Sequence, residues 1–179
     1  MDNITFDLET LGNSSNAPMV QLGAVKFKND GAIIDKFVRS IKISCLKRYK
    51  FEADYDTIQW WFEQDDKAIK SVMCPEDGID LRLALMQFKE WIGKTGDYVY
   101  WSHATFDPPI LNNNFRAVGL DNPIPFRLHR DIRTLVHFTG KLTAERKGIH
   151  HNALDDCIFQ ADYISQGLKI MGYGQEQSS

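Results

Sequence analysis

Apolar and polar positions alternate from the start of the chain. Ile4, Phe6 and Leu8 interleave with Thr5, Asp7 and Glu9, which predicts a strand with one apolar face and one polar face carrying two carboxylates. Met19 to Phe27 and Ile33 to Ile43 are rich in β-branched and aromatic residues and are joined by Asn29-Asp30-Gly31, so they read as a hairpin. From about Asp56 the period turns helical, with Ile58, Trp61 and Phe62 at i, i+3 and i+4. A second helix is predicted from Asp80, its N-cap, to Ile92, with Leu81, Ala84, Leu85, Phe88 and Ile92 as the buried stripe. Tyr98 to Trp101 reads as a short strand. Asp107-Pro108-Pro109 opens a helix that Gly119 ends, and Arg130 to Phe138 and Asn152 to Met171 read as the last two helices. Three antiparallel strands followed by mixed helices and strands predict an α/β sheet with a hairpin at its start, flanked by helices.

With 179 residues, 43% of them hydrophobic and 12% aromatic, the chain can bury a sizeable core. One domain over residues 1–171 is expected, with the polar stretch 172–179 as a flexible tail. The cysteines Cys45, Cys74 and Cys157 have no paired spacing, which predicts neither a disulfide framework nor a zinc site and fits a reducing compartment. Met1-Asp2-Asn3 does not begin a secretory leader, and no apolar run is long enough to span a bilayer, so a soluble, cytoplasmic protein without a membrane partner is expected.

A net charge of −3 is not that of a protein that coats nucleic acid, because such proteins gain affinity by releasing phosphate counterions with Lys and Arg. The charge is uneven, however. Arg39, Lys42, Lys47, Arg48 and Lys50 form one basic stretch; Arg127, Arg130, Arg133, Lys141, Arg146 and Lys147 form another, interspersed with His129, His137, His150 and His151. Each alone reads as a solvated face. Around an acidic centre they also suit a metal-dependent phosphodiesterase, whose carboxylates hold cations while its flanks attract phosphates.

Asp7 and Glu9, two apart on a strand, point to one face with side chains roughly 6 to 7 Å apart, a spacing at which two carboxylates share a cation. Mg²⁺ suits such a site because it takes oxygen ligands and keeps several waters. A solvent-facing pair on an edge strand would look the same. Asp107 follows a predicted strand, where open α/β sheets place their ligands, and it is also a good N-cap before Pro108. Near the C-terminus, helical periodicity separates two adjacent acids. Asp155 shares a stripe with Asp162, Gln166 and Lys169, which predicts solvent; Asp156 shares one with Phe159, Tyr163 and Ile170. An acid on an apolar stripe needs a partner, so Asp156 is the better ligand candidate. His151 lies just before that helix, and its imidazole can take a proton from water near neutral pH.

These residues resemble the DEDD exonucleases of the DnaQ-like, RNase H-like superfamily, in their His-containing DEDDh branch. Asp7-x-Glu9-Thr10 resembles the first motif, Phe106-Asp107 the second, and His151 with Asp156 the third, in the right order across nearly the whole chain. The likeness is nearest to the Rv2179c-like exoribonuclease and phage DexA-type group, on Ile58-x-Trp60-Trp61 with Gln64, Trp101 to Asp107, and Arg130 to Leu135. Many relatives carry Asn where His103 stands. The resemblance implies an RNase H-like mixed sheet, three antiparallel strands first and parallel strands after. It implies a 3′-to-5′ exonuclease releasing nucleoside 5′-monophosphates with two Mg²⁺ or Mn²⁺ ions. Asp7 would bridge both metals, Glu9 and Asp156 would complete the first site, Asp107 would support the second through water, and His151 would be the general base. Thr10, Leu11 and Gly12 would meet the terminal nucleotide, Leu11 as a wedge, with Phe106 or Trp61 stacking on it and His103 beside it; core packing explains Trp61 equally well. The expected partners are RNA or single-stranded DNA 3′ ends, RNA slightly favoured, and a second copy of the chain as a homodimer.

Two other readings use the same residues. Asp7-Leu8-Glu9-Thr10 superficially resembles the DxDxT start of haloacid-dehalogenase phosphatases, with Glu at the second acidic position and Thr one place early. An inactive nuclease-like module that binds a nucleotide or RNA end is the non-enzyme alternative, against which the intact set of acids and histidine argues.

Overall fold

The computed structural model describes residues 1–140 and 142–173. Its centre is a five-stranded sheet of β1 (Asp2–Thr10), β2 (Met19–Phe27), β3 (Ile33–Ser40), β4 (Tyr98–Ser102) and β5 (His129–Asp131) in the order β3-β2-β1-β4-β5. The first three strands are antiparallel; β4 runs parallel to β1, and β5 parallel to β4. Around it lie α1 (Ile43–Leu46), α2 (Tyr55–Phe62), α3 (Asp66–Val72), α4 (Leu81–Ile92), α5 (Asp107–Ala117), α6 (Ile132–Thr139) and α7 (Ala153–Ile170). This is the mixed, helix-flanked α/β sheet expected from the order of elements. Among the described residues, no helix is long and apolar enough to cross a membrane.

The two-residue period of β1 divides the molecule. Ile4, Phe6 and Leu8 point into the larger core with Leu81, Leu85 and Phe88 of α4 and Ile110, Leu111 and Phe115 of α5. The opposite face carries Thr5, Asp7 and Glu9 and is covered by α7, beside a second core of Val25, Phe27, Ile132, Leu135, Cys157, Ala161, Ile164 and Leu168. The chemically loaded face of the strand is therefore an interior face, enclosed by one long helix.

Several boundaries differ from the pattern, each for a local reason. The third strand ends at Ser40 because Ile41 bridges to Ile79 and Ile43 opens α1. The helical period near Asp56 holds two helices: Asp54 accepts from the Asp56 N–H to cap α2, and Asp65 from the Lys67 N–H to cap α3. The segment from Arg130 holds the end of β5 and then α6, which Asp131 caps by accepting from the Thr134 N–H. Asp80 caps α4 as expected, and Asn152 caps α7. Gly172 and Tyr173, expected in the tail, close α7 through N–H bonds to the Lys169 and Leu168 carbonyls; residues 174–179 lie outside the described residues.

Candidate active site

β1 delivers Asp7 and Glu9 to one face, and β2 shapes what sits above them. Gly23 pairs with Asp7 across the ladder. A Cβ there would lie 2.3 Å from the Ala153 carbonyl carbon and 2.5 Å from the Leu154 nitrogen, so only glycine lets the first turn of α7 rest on the sheet. Gln21, opposite Glu9, accepts from the Ala153 N–H at 2.8 Å and donates to Ser40 and to the Ser71 carbonyl. With the Asn152 cap accepting from the Leu154 and Asp155 N–H groups, the start of α7 is fixed on both sides.

That start carries the third group of candidates. The ligating atoms of Glu9, His151 and Asp156 lie within 4.8 Å of one another. His151 has φ of 59°, a left-handed conformation uncommon for a residue with a Cβ, and such strain is concentrated at functional sites. Its ring lies 3.8 Å from that of His150 and edge-on at 4.7 Å to Trp60. Asp155 lies on the expected stripe, with Asp162 and Lys169 exposed, but is itself half-buried. It accepts from the Ile149 N–H at 2.7 Å and holds the turn that precedes His151. The face α7 buries runs through Ala153, Asp156, Cys157, Gln160, Ala161 and Ile164, one stripe over from Phe159, Tyr163 and the exposed Ile170. Asp156 is inward as expected, though with different companions.

Asp107 is 1% exposed and begins α5 as its first helical residue, after Phe106 at the N-cap. Its carboxylate accepts from the His103 N–H at 2.8 Å instead of capping the helix. A backbone donor is available from any residue, so His in place of Asn at 103 leaves this bond intact. Asp131 accepts from the Ala104 N–H and ties the same turn to α6.

The four carboxylates repel one another. Burial first, and then the charge of Asp156, pushes Asp7 up to about 7. Burial, followed by the charges of Asp7, Asp156 and Asp107, holds Glu9 well above the ordinary range; burial and Asp7 do the same for Asp107. Arg146 offsets part of this by pairing with Asp156, its guanidinium 4.5 Å over the Phe159 ring. His151 is held below its ordinary value by burial and by His150, so its imidazole is neutral at pH 7. Enclosed oxygen donors with excess negative charge are what hard divalent cations bind, and this donor set fits them.

The structure also places the residues expected to meet substrate. Thr10 donates through its hydroxyl to the Gly12 carbonyl, and Leu11 is 7% exposed, packed in the larger core. Trp61 is 2% exposed and its indole N–H donates to the Thr10 carbonyl at 2.9 Å. It anchors the end of β1 and has no free face for a base, which corrects the stacking role. The aromatic ring presented beside His151 is Trp60, 38% exposed. His103 and Phe106 are half-buried at the β4–α5 turn.

Sequence reasoning missed four contributors. Gln160 donates to Asp7 at 2.9 Å and accepts from the Thr5 hydroxyl at 2.7 Å, which fixes the orientation of its amide. It stands one helical turn beyond Asp156, a spacing that marks a shared face. Gly23, alone inside a strand pattern, signalled close backbone approach. Gln21 carried no such signal, and Arg146 was legible only as one of a basic stretch, not as the partner of Asp156.

A mixed sheet with a carboxylate cluster under its C-terminal helix defines the class: the fold is that of the RNase H-like, DnaQ-like exonucleases. The chain belongs to the Rv2179c-like family, described as the 3′-5′ exoribonuclease Rv2179c-like domain, whose model matches residues 2–168. It is similar to the "Exodeoxyribonuclease" of enterobacteria phage T4, 25% identical over an alignment of 162 positions that covers 87% of this chain and 63% of the phage enzyme. Among solved structures it is similar to cell-death related nuclease 4, with a TM-score of 0.65 at 15% identity over 96% of this chain and 64% of that one. It is also similar to E. coli exonuclease I in complex with a dA16 oligonucleotide, with a TM-score of 0.66 at 11% identity over 94% of this chain and 40% of that one. At these identities the structural likeness is one of fold. Family membership sets aside the phosphatase reading.

Proposed function

We propose that residues 1–171 act as one 3′-to-5′ exonuclease unit that releases nucleoside 5′-monophosphates from the 3′ ends of RNA or single-stranded DNA, RNA slightly favoured. The observation that carries this is the convergence of Glu9, His151 and Asp156 within 4.8 Å, beside Asp7 and Asp107. Asp7, Glu9 and Asp156 would hold one divalent cation, and Asp7 with Asp107 a second. Two such Mg²⁺ or Mn²⁺ ions supply an activated water and charge stabilisation at the departing oxygen. Neutral His151 accepts the proton of the attacking water. Gln160 orients Asp7. The Thr10–Gly12 turn receives the terminal nucleotide, with Leu11 against its base and His103 and Phe106 beside it.

RNA is favoured on the family's description and DNA on the phage relative's name, and exonuclease I is the fold neighbour bound to dA16. Matched RNA and DNA oligomers labelled at the 5′ end, incubated with Mg²⁺, Mn²⁺ or chelator, test the reading. A ladder shortening by single nucleotides and dependent on metal is the expected result. Immediate release of the label as a mononucleotide, or cleavage undiminished in chelator, would overturn it, and binding without cleavage would make the chain a nuclease-like binding module.

A further inference from the structure

Outside the carboxylate cluster, the surface has a cleft of about 490 Å³ in which Arg48, Lys50 and Arg116 meet Tyr49, Phe51 and Asn16, and no carboxylate lines it. In a chain of net charge −3, a lining that holds cations and no carboxylate is a local inversion of sign. Arg48 is committed to Asp80 at the rim. Among the described residues, Lys50 and Arg116 pair with no carboxylate. Tyr49 and Phe51 are half-buried against the larger core, their ring centroids 5.6 Å apart. Cations interleaved with aromatic faces are the means by which proteins hold single strands without reading sequence.

The cleft is stapled to the segment that leaves the catalytic strand. The Asp54 N–H donates to the Leu11 carbonyl and the Glu52 N–H to the Asn16 carbonyl; the Asn16 amide donates to the Lys50 carbonyl. Asn16 follows Thr10, the end of β1, by six residues, so the cleft begins no more than about 22 Å from that end.

We propose that this cleft binds the sugar–phosphate backbone of a single-stranded nucleic acid on the 5′ side of the end being trimmed. Lys50 and Arg116 neutralise two phosphates, and Tyr49 and Phe51 offer their exposed edges to the bases. The cleft, whose lining shares no residue with the carboxylate cluster, makes affinity depend on strand length. The direction of the strand rests on the exonuclease reading; the presence of the cleft as a binding site does not.

The test compares the full chain with a Lys50→Gln, Arg116→Gln double variant. Both side chains are exposed, so the variant keeps its fold. Binding of 5′-labelled single-stranded 12-mers, RNA and DNA in separate arms, is followed by fluorescence anisotropy in chelator between 50 and 200 mM salt. Each phosphate contact on a single strand contributes about 0.7 to the slope of log affinity against log salt. Loss of two lowers the slope by about 1.4, roughly a sevenfold difference over that salt range. A dinucleotide should bind both proteins alike. Equal slopes and affinities within twofold for the 12-mers overturn the proposal, as does a variant that loses binding to an acidic peptide while keeping the 12-mers. With Mg²⁺, a chain that shortens oligomers but shows equal slopes fails the cleft alone; one that loses slope but shortens nothing fails the exonuclease reading alone.

Discussion

Replacing Gly23 by alanine separates the placement of α7 from everything else in the site. Inside a strand, Gly to Ala is ordinarily favourable by about 0.5 to 1 kcal/mol, because alanine loses less conformational freedom on folding. Here the added methyl would stand 2.3 Å from the Ala153 carbonyl carbon and 2.4 Å from its oxygen, where ordinary contact begins at 3.4 Å. Neither β2, paired on both sides, nor the capped start of α7 yields easily, so the helix retreats by about 1 Å. Overpacking of this kind costs about 1 to 3 kcal/mol, and in a chain of this size lowers Tm by about 2 to 12 °C. The retreat carries His151 and Asp156 away from Asp7 and Glu9, and a misplacement of about 1 Å costs about 100-fold in rate. Thermal melts and single-turnover cleavage of a labelled oligomer read the two effects, with Gly96→Ala as control because nothing lies within 4 Å of its Cβ position. A Gly23→Ala chain that keeps kcat within threefold would refute the claim that this close approach sets the site.

Other outcomes follow from the same geometry. His151→Ala should lower kcat by about 10² to 10⁴ and remove the rising limb of the pH–rate profile, whose midpoint in the parent lies below the ordinary histidine value of 6.5; an unchanged profile would take His151 out of the proton transfer. Asp7 is raised from 3.8 to about 7, so its contribution to stability is full below pH 3.8 and is lost as pH climbs through 7. The metal-free protein should therefore melt lower at pH 8 than at pH 5, and Mg²⁺ should raise Tm more at pH 8; an equal rise at both would contradict a metal site at Asp7. Gln160→Leu leaves the buried Thr5 hydroxyl unpaired at about 1 to 3 kcal/mol and releases the Asp7 carboxylate, so Tm and Mg²⁺ affinity should both fall. Arg146→Met removes the cation that competes for Asp156, and calorimetric Mn²⁺ titration without nucleic acid should show tighter binding; weaker binding would mean that Arg146 supports the site.

What was legible in the sequence was what periodicity encodes. The alternation at Ile4, Phe6 and Leu8 gave β1 and the side on which Asp7 and Glu9 lie, and helical spacing distinguished Asp156 from Asp155 although it chose the wrong neighbours for Asp156. β5 was hidden because its three residues are fewer than one alternation can reveal, and Asp131 marks a helix cap that the pattern absorbed into the helix. Trp61 was ambiguous because an aromatic at helical spacing serves a core or a base equally, and only its indole bond to Thr10 decides.

The hidden part of the site has a common cause. Gln21, Gly23 and Gln160 act between segments far apart in the chain, Gln21 and Ala153 being 132 residues apart and Gln160 and Asp7 153. No local period records such a pairing. Yet each can be placed once the register of β1 against β2 is known, since that register sets Gly23 opposite Asp7 and Gln21 opposite Glu9. The side chains on β1 choose the chemistry, while those facing them on β2 choose how near α7 comes and therefore whether Asp156 and His151 reach it. Exchanging Gln21 for Leu should then act like Gly23→Ala in weakening the start of α7, but by loss of a bond to Ala153 instead of by intrusion, with the smaller fall in rate.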